Sequence, residues 1–150
     1  MDISLLPKAG FLLKYRNVKV TVEPEENKVE AEGETVVIKG AGEYEVKGVS
    51  IFGTKINKEV IYTFDIDELR VAYLGEFKEK LSDSQLDWLD GVDVLLVSGQ
   101  SAEIVKQIGP SLAVSPEPIK GIEGMSRQEK KLTISKLQLP EEMKVIVLYA

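Results

Sequence analysis

The 150-residue sequence contains no histidine and no cysteine. Imidazole and thiolate are the usual protein ligands for zinc and most transition metals, and imidazole is the one side chain whose unperturbed pKa lies near neutrality. Their absence excludes serine and cysteine triads, ordinary zinc-dependent hydrolysis and thiol redox chemistry. The lack of cysteine also removes any disulfide, which fits a reducing compartment.

Long apolar runs are missing as well. No uninterrupted apolar stretch approaches the ~20 residues that a membrane-spanning helix needs. The start, Met1-Asp2-Ile3-Ser4, lacks the basic and apolar segments of a signal peptide. We therefore expect a cytoplasmic protein without a membrane partner.

Positive charge is outnumbered and dispersed. The formal net charge is −6, and the lysines are scattered singly among acidic residues, so we expect no nucleic-acid partner. The longest basic cluster runs from Arg127 to Lys131, and we interpret it as a solvated loop.

The length suits one domain over residues 1–150, and its first half is rich in β-strand signals. Short alternating segments are separated by turn residues, which predicts a β-meander. The first hairpin joins Phe11–Tyr15 to Val18–Val22 through Arg16-Asn17, with Asn17 suited to positive φ. Further strands are predicted at 28–31, 35–38, 43–46 and 49–52.

The second half predicts helices between strands. Ser82 and Gln85 match a capping box, and Ser101 caps a second short helix that Gly109-Pro110 ends. The order strand, helix, strand, helix, strand predicts two right-handed crossovers and three parallel strands. The strands of this half are predicted at 60–64, 69–74, 92–97, 112–115, 131–135 and 143–149, with a loop over 116–128.

Polar residues follow the three parallel strands at the edge where open sheets bind ligands. We expect Glu76 and Glu117 to be the carboxylates of one crevice there. They are interpreted as hydrated loop residues, a pair sharing a proton, ligands of a hard cation, or an acid and base pair. The other predicted crevice residues are Gly75, Ser98, Gln100 and Ser115.

Trp88 lies beside the inward-facing leucines of the first predicted helix. One interpretation is a partly buried packing role, and the other is an exposed aromatic anchor for a protein partner.

Six segments of the sequence resemble the metallo-β-lactamase superfamily, in its branch of small predicted zinc hydrolases similar to L-ascorbate-6-phosphate lactonase. They are Leu5–Phe11, Val20–Pro24, Ile38–Val49, Ile61–Glu76, Leu81–Val97 and Lys131–Leu148. The resemblance implies an α+β fold, a four-layer αββα sandwich that is truncated here. Its two halves are a mainly β amino-terminal half that lacks a helix-bearing segment and a βαβαβ carboxyl-terminal half.

The sequence departs from this family where the family keeps its metal ions. The H-x-H-x-D-H loop expected after Glu23-Pro24 is absent, and a second histidine-bearing loop is shortened to Thr54–Lys58. The resemblance places degenerate metal positions at Glu23, Glu76 and Glu117. It therefore implies no bound zinc, manganese or iron, and no cofactor.

The function expected from these observations is that of a catalytically inactive protein of this fold. It would act by self-association, most simply as a twofold dimer, or as a subunit that binds another protein. The alternative is a residual hydrolase or ligand-binding protein with a hard cation at Glu23, Glu76 and Glu117, so enzymatic activity is left open. The dimer surface is expected to contain Val20, Val22, Val36, Ile38, Val49 and Ile51.

Overall fold

Two β-sheets and two short helices make up the fold in the computed structural model, which describes residues 1–8, 10–122 and 127–150, with only the backbone of Arg127. The first sheet has six strands in the order β13-β1-β2-β3-β4-β5, and all its neighbours are antiparallel. These strands are β1 (Asp2–Leu6), β2 (Gly10–Tyr15), β3 (Val18–Val22), β4 (Asn27–Ala31), β5 (Glu34–Ile38) and β13 (Lys131–Thr133).

The second sheet has eight strands in the order β12-β14-β11-β10-β9-β8-β7-β6. Its first four strands in the chain are β6 (Gly42–Val46), β7 (Val49–Ile56), β8 (Glu59–Ile66) and β9 (Leu69–Tyr73). The others are β10 (Val94–Leu96), β11 (Leu112–Ser115), β12 (Arg127–Glu129) and β14 (Lys144–Leu148). The strands from β9 to β12 across the sheet are parallel, whereas β6 to β9 form antiparallel hairpins.

The two helices begin where the sequence predicted. Helix α1 (Asp83–Trp88) has the capping box: Gln85 N donates to Ser82 Oγ at 3.3 Å, and Ser82 N donates to Gln85 Oε1 at 2.9 Å. Helix α2 (Ala102–Ile108) is capped by Ser101 and ends at Gly109, whose φ is 62°. A 3₁₀ turn covers Lys136–Gln138. Over the described ranges, every helix is too short to cross a membrane.

Two apolar layers hold these elements together. One lies between the sheets and includes Phe11, Val20 and Phe64, and the other lies between the eight-stranded sheet and both helices. The outer face of the six-stranded sheet carries polar side chains instead, as in the cross-strand pair Lys19 and Glu30. The strict alternation of the amino-terminal strands therefore lets this face meet water without a covering helix.

The side chains expected to form a dimer surface are buried inside the sandwich. Five of its six side chains, Val20, Val22, Ile38, Val49 and Ile51, are at most 2% exposed in the layer between the sheets. The sixth, Val36, is half-buried against the same layer. That premise was wrong because these β-branched residues occupy the inward register of their strands.

Other differences concern edges and turns. Strands β1 and β12 were not predicted. Strand β1 pairs with the neighbouring β2 and with the distant β13. Arg127–Glu129 is a strand rather than the solvated loop expected there, because it pairs with the distant β14. Residues 123–126 of the predicted loop over 116–128 lie outside the described residues. In the first hairpin the left-handed residue is Arg16, with φ 53°, rather than Asn17. Trp88 is 49% exposed.

Candidate functional site

The carboxyl ends of β9, β10 and β11 meet at one edge and border a cavity of about 560 Å³, which we call the strand-end cleft. Parallel pairing causes this, since it brings successive strand ends to the same edge. The structure thus brings together five of the sequence-predicted residues. They are Glu76, Ser98, Gln100, Ser115 and Glu117.

Gln100 fixes the loops of the strand-end cleft. It is 4% exposed, its Oε1 accepts from Ser98 N at 2.6 Å, and its Nε2 donates to the carbonyls of Gly75 at 3.0 Å and Phe77 at 2.8 Å. These bonds join the loop after β10 to the loop after β9. The side chain that looked like a crevice ligand is therefore fully used by the backbone.

Ser115 has a similar role on the next strand. Its Oγ donates to Glu117 O at 2.6 Å and accepts from Glu117 N at 3.2 Å. The Glu117 and Glu76 side chains are exposed, and both border the cleft together with Lys8, Lys78 and Lys120. The lysines were not predicted, because single exposed lysines do not stand out in a sequence. The free groups of the cleft are thus charges of both signs, open to water.

A second cavity lies beside the cleft, at the same edge but between the two sheets. This inter-sheet pocket has a volume of about 280 Å³ and is bordered by Glu23 and Gly75. Neither residue borders the cleft, although the Gly75 carbonyl accepts a hydrogen bond from Gln100 Nε2 at 3.0 Å. Glu23 and Glu76 both border a third cavity of about 400 Å³, between the cleft and the pocket, with Lys8.

Two buried polar groups that the sequence analysis missed border the inter-sheet pocket: Asn27 and Tyr73. Asn27 is 3% exposed and Tyr73 is 2% exposed. In the described part of the chain neither Asn27 Oδ1 nor the Tyr73 hydroxyl makes a hydrogen bond of good geometry, although Tyr62 lies beside Asn27 and Ser98 lies beside the Tyr73 hydroxyl. Asn27 alternates inward with Val29 and Ala31 along β4. An asparagine in that apolar register was the one signal in the sequence that could have found it.

The tyrosines at this pocket stay neutral at physiological pH. Burial raises the pKa of Tyr73 to about 12, the charges of Glu76 and Glu23 add to the shift, and Ser98 opposes it. Burial also raises the pKa of Tyr62, which donates to Gly40 O at 3.2 Å and lies near the Asn27 side chain. Both hydroxyls can therefore donate and accept hydrogen bonds.

The donor set at this edge does not fit zinc. The chain has neither imidazole nor thiolate to offer, and Glu23 and Glu117 border different cavities. Within residues 1–8, 10–122 and 127–150, no group of three or more acidic side chains is placed to hold a metal ion. The chain therefore has none of the imidazole or thiolate ligands that a zinc centre uses.

Comparisons with known proteins agree with the layered architecture. Residues 16–114 match a family described as the beta-lactamase superfamily domain. A solved structure from Thermotoga maritima, provisionally described as a Zn-dependent hydrolase of the metallo-beta-lactamase superfamily, matches 100% of this chain over 100% of its own, with a TM-score of 0.70 and 17% identity. No curated protein matches the sequence. Because the family match covers more than half of the chain and the expected α+β sandwich is present, this protein belongs to the beta-lactamase superfamily and has a metallo-β-lactamase-like fold.

Proposed function

We propose that this protein is a member of the metallo-β-lactamase fold that acts by binding at the strand-end edge rather than by metal-dependent hydrolysis. The observation that carries the proposal is the donor set at that edge: glutamates and lysines occur where zinc would need imidazole. Zinc hydrolases depend on a metal that polarises the substrate and generates hydroxide at neutral pH. Exposed carboxylates and ammonium groups do neither.

A hard cation is the main alternative chemistry for this edge. Ca²⁺ takes six to eight oxygen ligands and Mg²⁺ takes six, so a site for either needs several oxygens converging on one point. Glu76 borders both the cleft and the third cavity, but Glu23 and Glu117 share no cavity. The division of the three glutamates between cavities favours a binding edge over a carboxylate-only cation centre.

Self-association remains a prediction, but the apolar side chains expected to support it are buried between the sheets. The strands at one side of the sandwich, β5 and β6, are sheet edges, and the exposed Glu43 and Glu45 of β6 disfavour pairing with a second copy through like-charge repulsion. The strand-end edge is the better place for a partner, since its loops offer charges of both signs. Light scattering from micromolar to near-millimolar concentration tests this: a dimer mass supports self-association, and a monomer mass leaves a different partner or a small ligand.

The proposal is tested by loading the protein with Zn²⁺ and Mn²⁺, removing excess metal, and measuring both metal content and hydrolysis of a phosphodiester, a lactone and a β-lactam. We expect background rates and no stoichiometric metal. One or two transition-metal ions per chain with hydrolysis above background would contradict it. Calorimetric titration with Ca²⁺ and Mg²⁺ tests the cation alternative, with Glu76→Gln as the variant and Glu30→Gln, on the outer sheet face, as its matched control.

A further inference from the structure

The last strand of the eight-stranded sheet, β6, has a neighbouring strand on one side only. It pairs with β7 in unbroken register, from Gly42 with Gly53 to Val46 with Val49, and no strand in the described part of the chain pairs with its other side. A free edge of this kind presents backbone N–H and C=O groups to any strand that is added. Proline and bulges are common ways to block an edge, and β6 has neither.

The turn that follows β6 determines which residues present these groups. Val46 and Val49 flank the two-residue turn Lys47-Gly48, whose φ angles of 52° and 84° are typical of a type I′ hairpin. The flanking residues of such a hairpin bond each other, and hydrogen-bonded and non-hydrogen-bonded pairs then alternate along the strands. The backbone N–H and C=O groups of Glu43 and Glu45 therefore point away from β7, toward the free edge.

The side chains beside this edge are acidic and aromatic. Glu43 and Glu45 are exposed, and neither has an ion-pair partner among the described residues. Phe52, directly across from Glu43 on β7, is 40% exposed on the same face. Lysine or arginine side chains of an added strand would lie beside both carboxylates, and their stems and charges can cover an aromatic ring. The surface is thus complementary to a basic strand.

The free edge is also held in place at both of its ends. Before β6, the Tyr44 hydroxyl donates to Lys39 O at 2.6 Å and fixes the connection from β5. After β6, Lys47 Nζ lies 3.0 Å from Glu34 Oε2 and ties the hairpin turn to β5 of the other sheet. A strand that is already ordered loses less conformational freedom when a partner binds.

We propose that β6 is a docking edge for a basic, extended segment of a partner protein, which adds to the sheet as a further strand beside Glu43 and Glu45. Basic and apolar residues would alternate in that segment, because successive side chains of a strand point to opposite faces. The inference does not rest on the proposed function, since β6 is three strands away from β9, whose end borders the strand-end cleft.

Other occupants fit this edge less well. A second copy of the chain would bring Glu43 and Glu45 beside the same carboxylates, and like charges on paired strands repel. Nucleic acids and anionic membranes are repelled for the same reason. The remaining alternative is that the two glutamates only protect a free edge from aggregation. The experiment must separate that role from docking.

The test is a fluorescence anisotropy titration with the labelled, end-blocked peptide Lys-Val-Lys-Val-Lys. Its controls are Glu-Val-Glu-Val-Glu and a lysine peptide whose lysine amides are N-methylated, which keeps the charge but cannot pair with a strand. We expect the lysine peptide to bind at least about tenfold more tightly than the glutamate peptide and about fivefold more tightly than the N-methylated one. Equal affinity for the N-methylated peptide would reduce binding to charge attraction and overturn the inference. Absence of binding by all three would overturn it as well.

Charge reversal at the edge provides the matched pair of variants. Glu43→Lys combined with Glu45→Lys should weaken binding of the lysine peptide at least about tenfold. Glu141→Lys combined with Glu142→Lys makes the same change in net charge at two exposed positions before β14, and should weaken it less than about twofold. Equal losses in the two double variants would contradict a docking site at β6.

Amide hydrogen exchange tests strand addition without any substitution. In the free protein the N–H groups of Glu43 and Glu45 should exchange fast, whereas that of Tyr44, which points to β7, should exchange slowly. At saturating lysine peptide we expect exchange at Glu43 and Glu45 to slow at least about tenfold. Unchanged exchange at these two residues would overturn the inference. Zinc-dependent hydrolysis would contradict the proposed function alone, because it has no bearing on the exchange at β6.

Discussion

The strand-end cleft and the inter-sheet pocket open at the same edge of the sandwich, yet they use their buried polar residues in opposite ways. In the cleft, the side-chain oxygen and nitrogen of Gln100 form hydrogen bonds with three backbone groups of two loops. In the pocket, Asn27 Oδ1 and the Tyr73 hydroxyl find no partner within the described residues. A buried polar side chain at a candidate site therefore has to be judged by what it bonds, because the first kind connects the loops of the edge and the second kind does not.

The largest effect on stability is expected from Gln100, whose side-chain oxygen and nitrogen both form hydrogen bonds. Gln100→Leu removes the acceptor for Ser98 N and the donors for the carbonyls of Gly75 and Phe77, and it leaves those buried backbone groups unpaired. We expect the free energy of unfolding to fall by about 3 kcal/mol, measured by urea denaturation with an unchanged slope. The exposed Gln128 provides the control, Gln128→Leu, with little change. A loss below about 1 kcal/mol in Gln100→Leu would break the comparison.

A somewhat smaller effect is expected at alkaline pH. The pKa of Tyr73 is raised from 10.0 to about 12 in the folded protein, so between these values the unfolded chain loses a proton that the folded chain keeps. Stability should therefore fall as pH rises through this window, by about 2 to 3 kcal/mol from this residue. Tyr73→Phe should lose correspondingly less stability between pH 10 and 12 than the parent protein. Parallel pH profiles for the two proteins would show that the hydroxyl is not buried.

The smallest effect is expected from the unsatisfied residues at neutral pH. Asn27→Leu and Tyr73→Phe should leave the free energy of unfolding unchanged or raise it by up to about 1 kcal/mol, because neither removes a hydrogen bond of good geometry within the protein. Urea denaturation under the conditions used for Gln100→Leu makes the comparison direct. A loss above about 1 kcal/mol would mean that these groups are bonded, through water or through the chain, and would remove the contrast between the two cavities.

Local patterns predicted much of the fold. The hairpins of β2 to β9, the capping box at Ser82 and the parallel order of β9, β10 and β11 follow from signals a few residues long. Strand β12 was missed because it pairs with β14, as in Glu129 with Leu148, which no local pattern specifies. Strand β1 was missed although it forms a hairpin with β2, because Met1–Ser4 was considered only as the start of a signal peptide.

The candidate site was predicted only in outline. Strand order placed Glu76, Ser98, Gln100, Ser115 and Glu117 along one cavity, but it could not tell that Gln100 and Ser115 bond the backbone. The inter-sheet pocket is formed only when the two sheets pack together. The contacts made in that packing cannot be predicted from the sequence of a single strand. Asn27 was visible as a polar residue in the inward register of β4; the isolation of its oxygen was not.

The difference in the free energy of unfolding between Gln100→Leu and Asn27→Leu tests the contrast between the two cavities most directly. In urea denaturation of both variants and the parent protein under one set of conditions, we predict a loss of about 3 kcal/mol for Gln100→Leu and no loss for Asn27→Leu. Equal losses in the two variants would contradict the account.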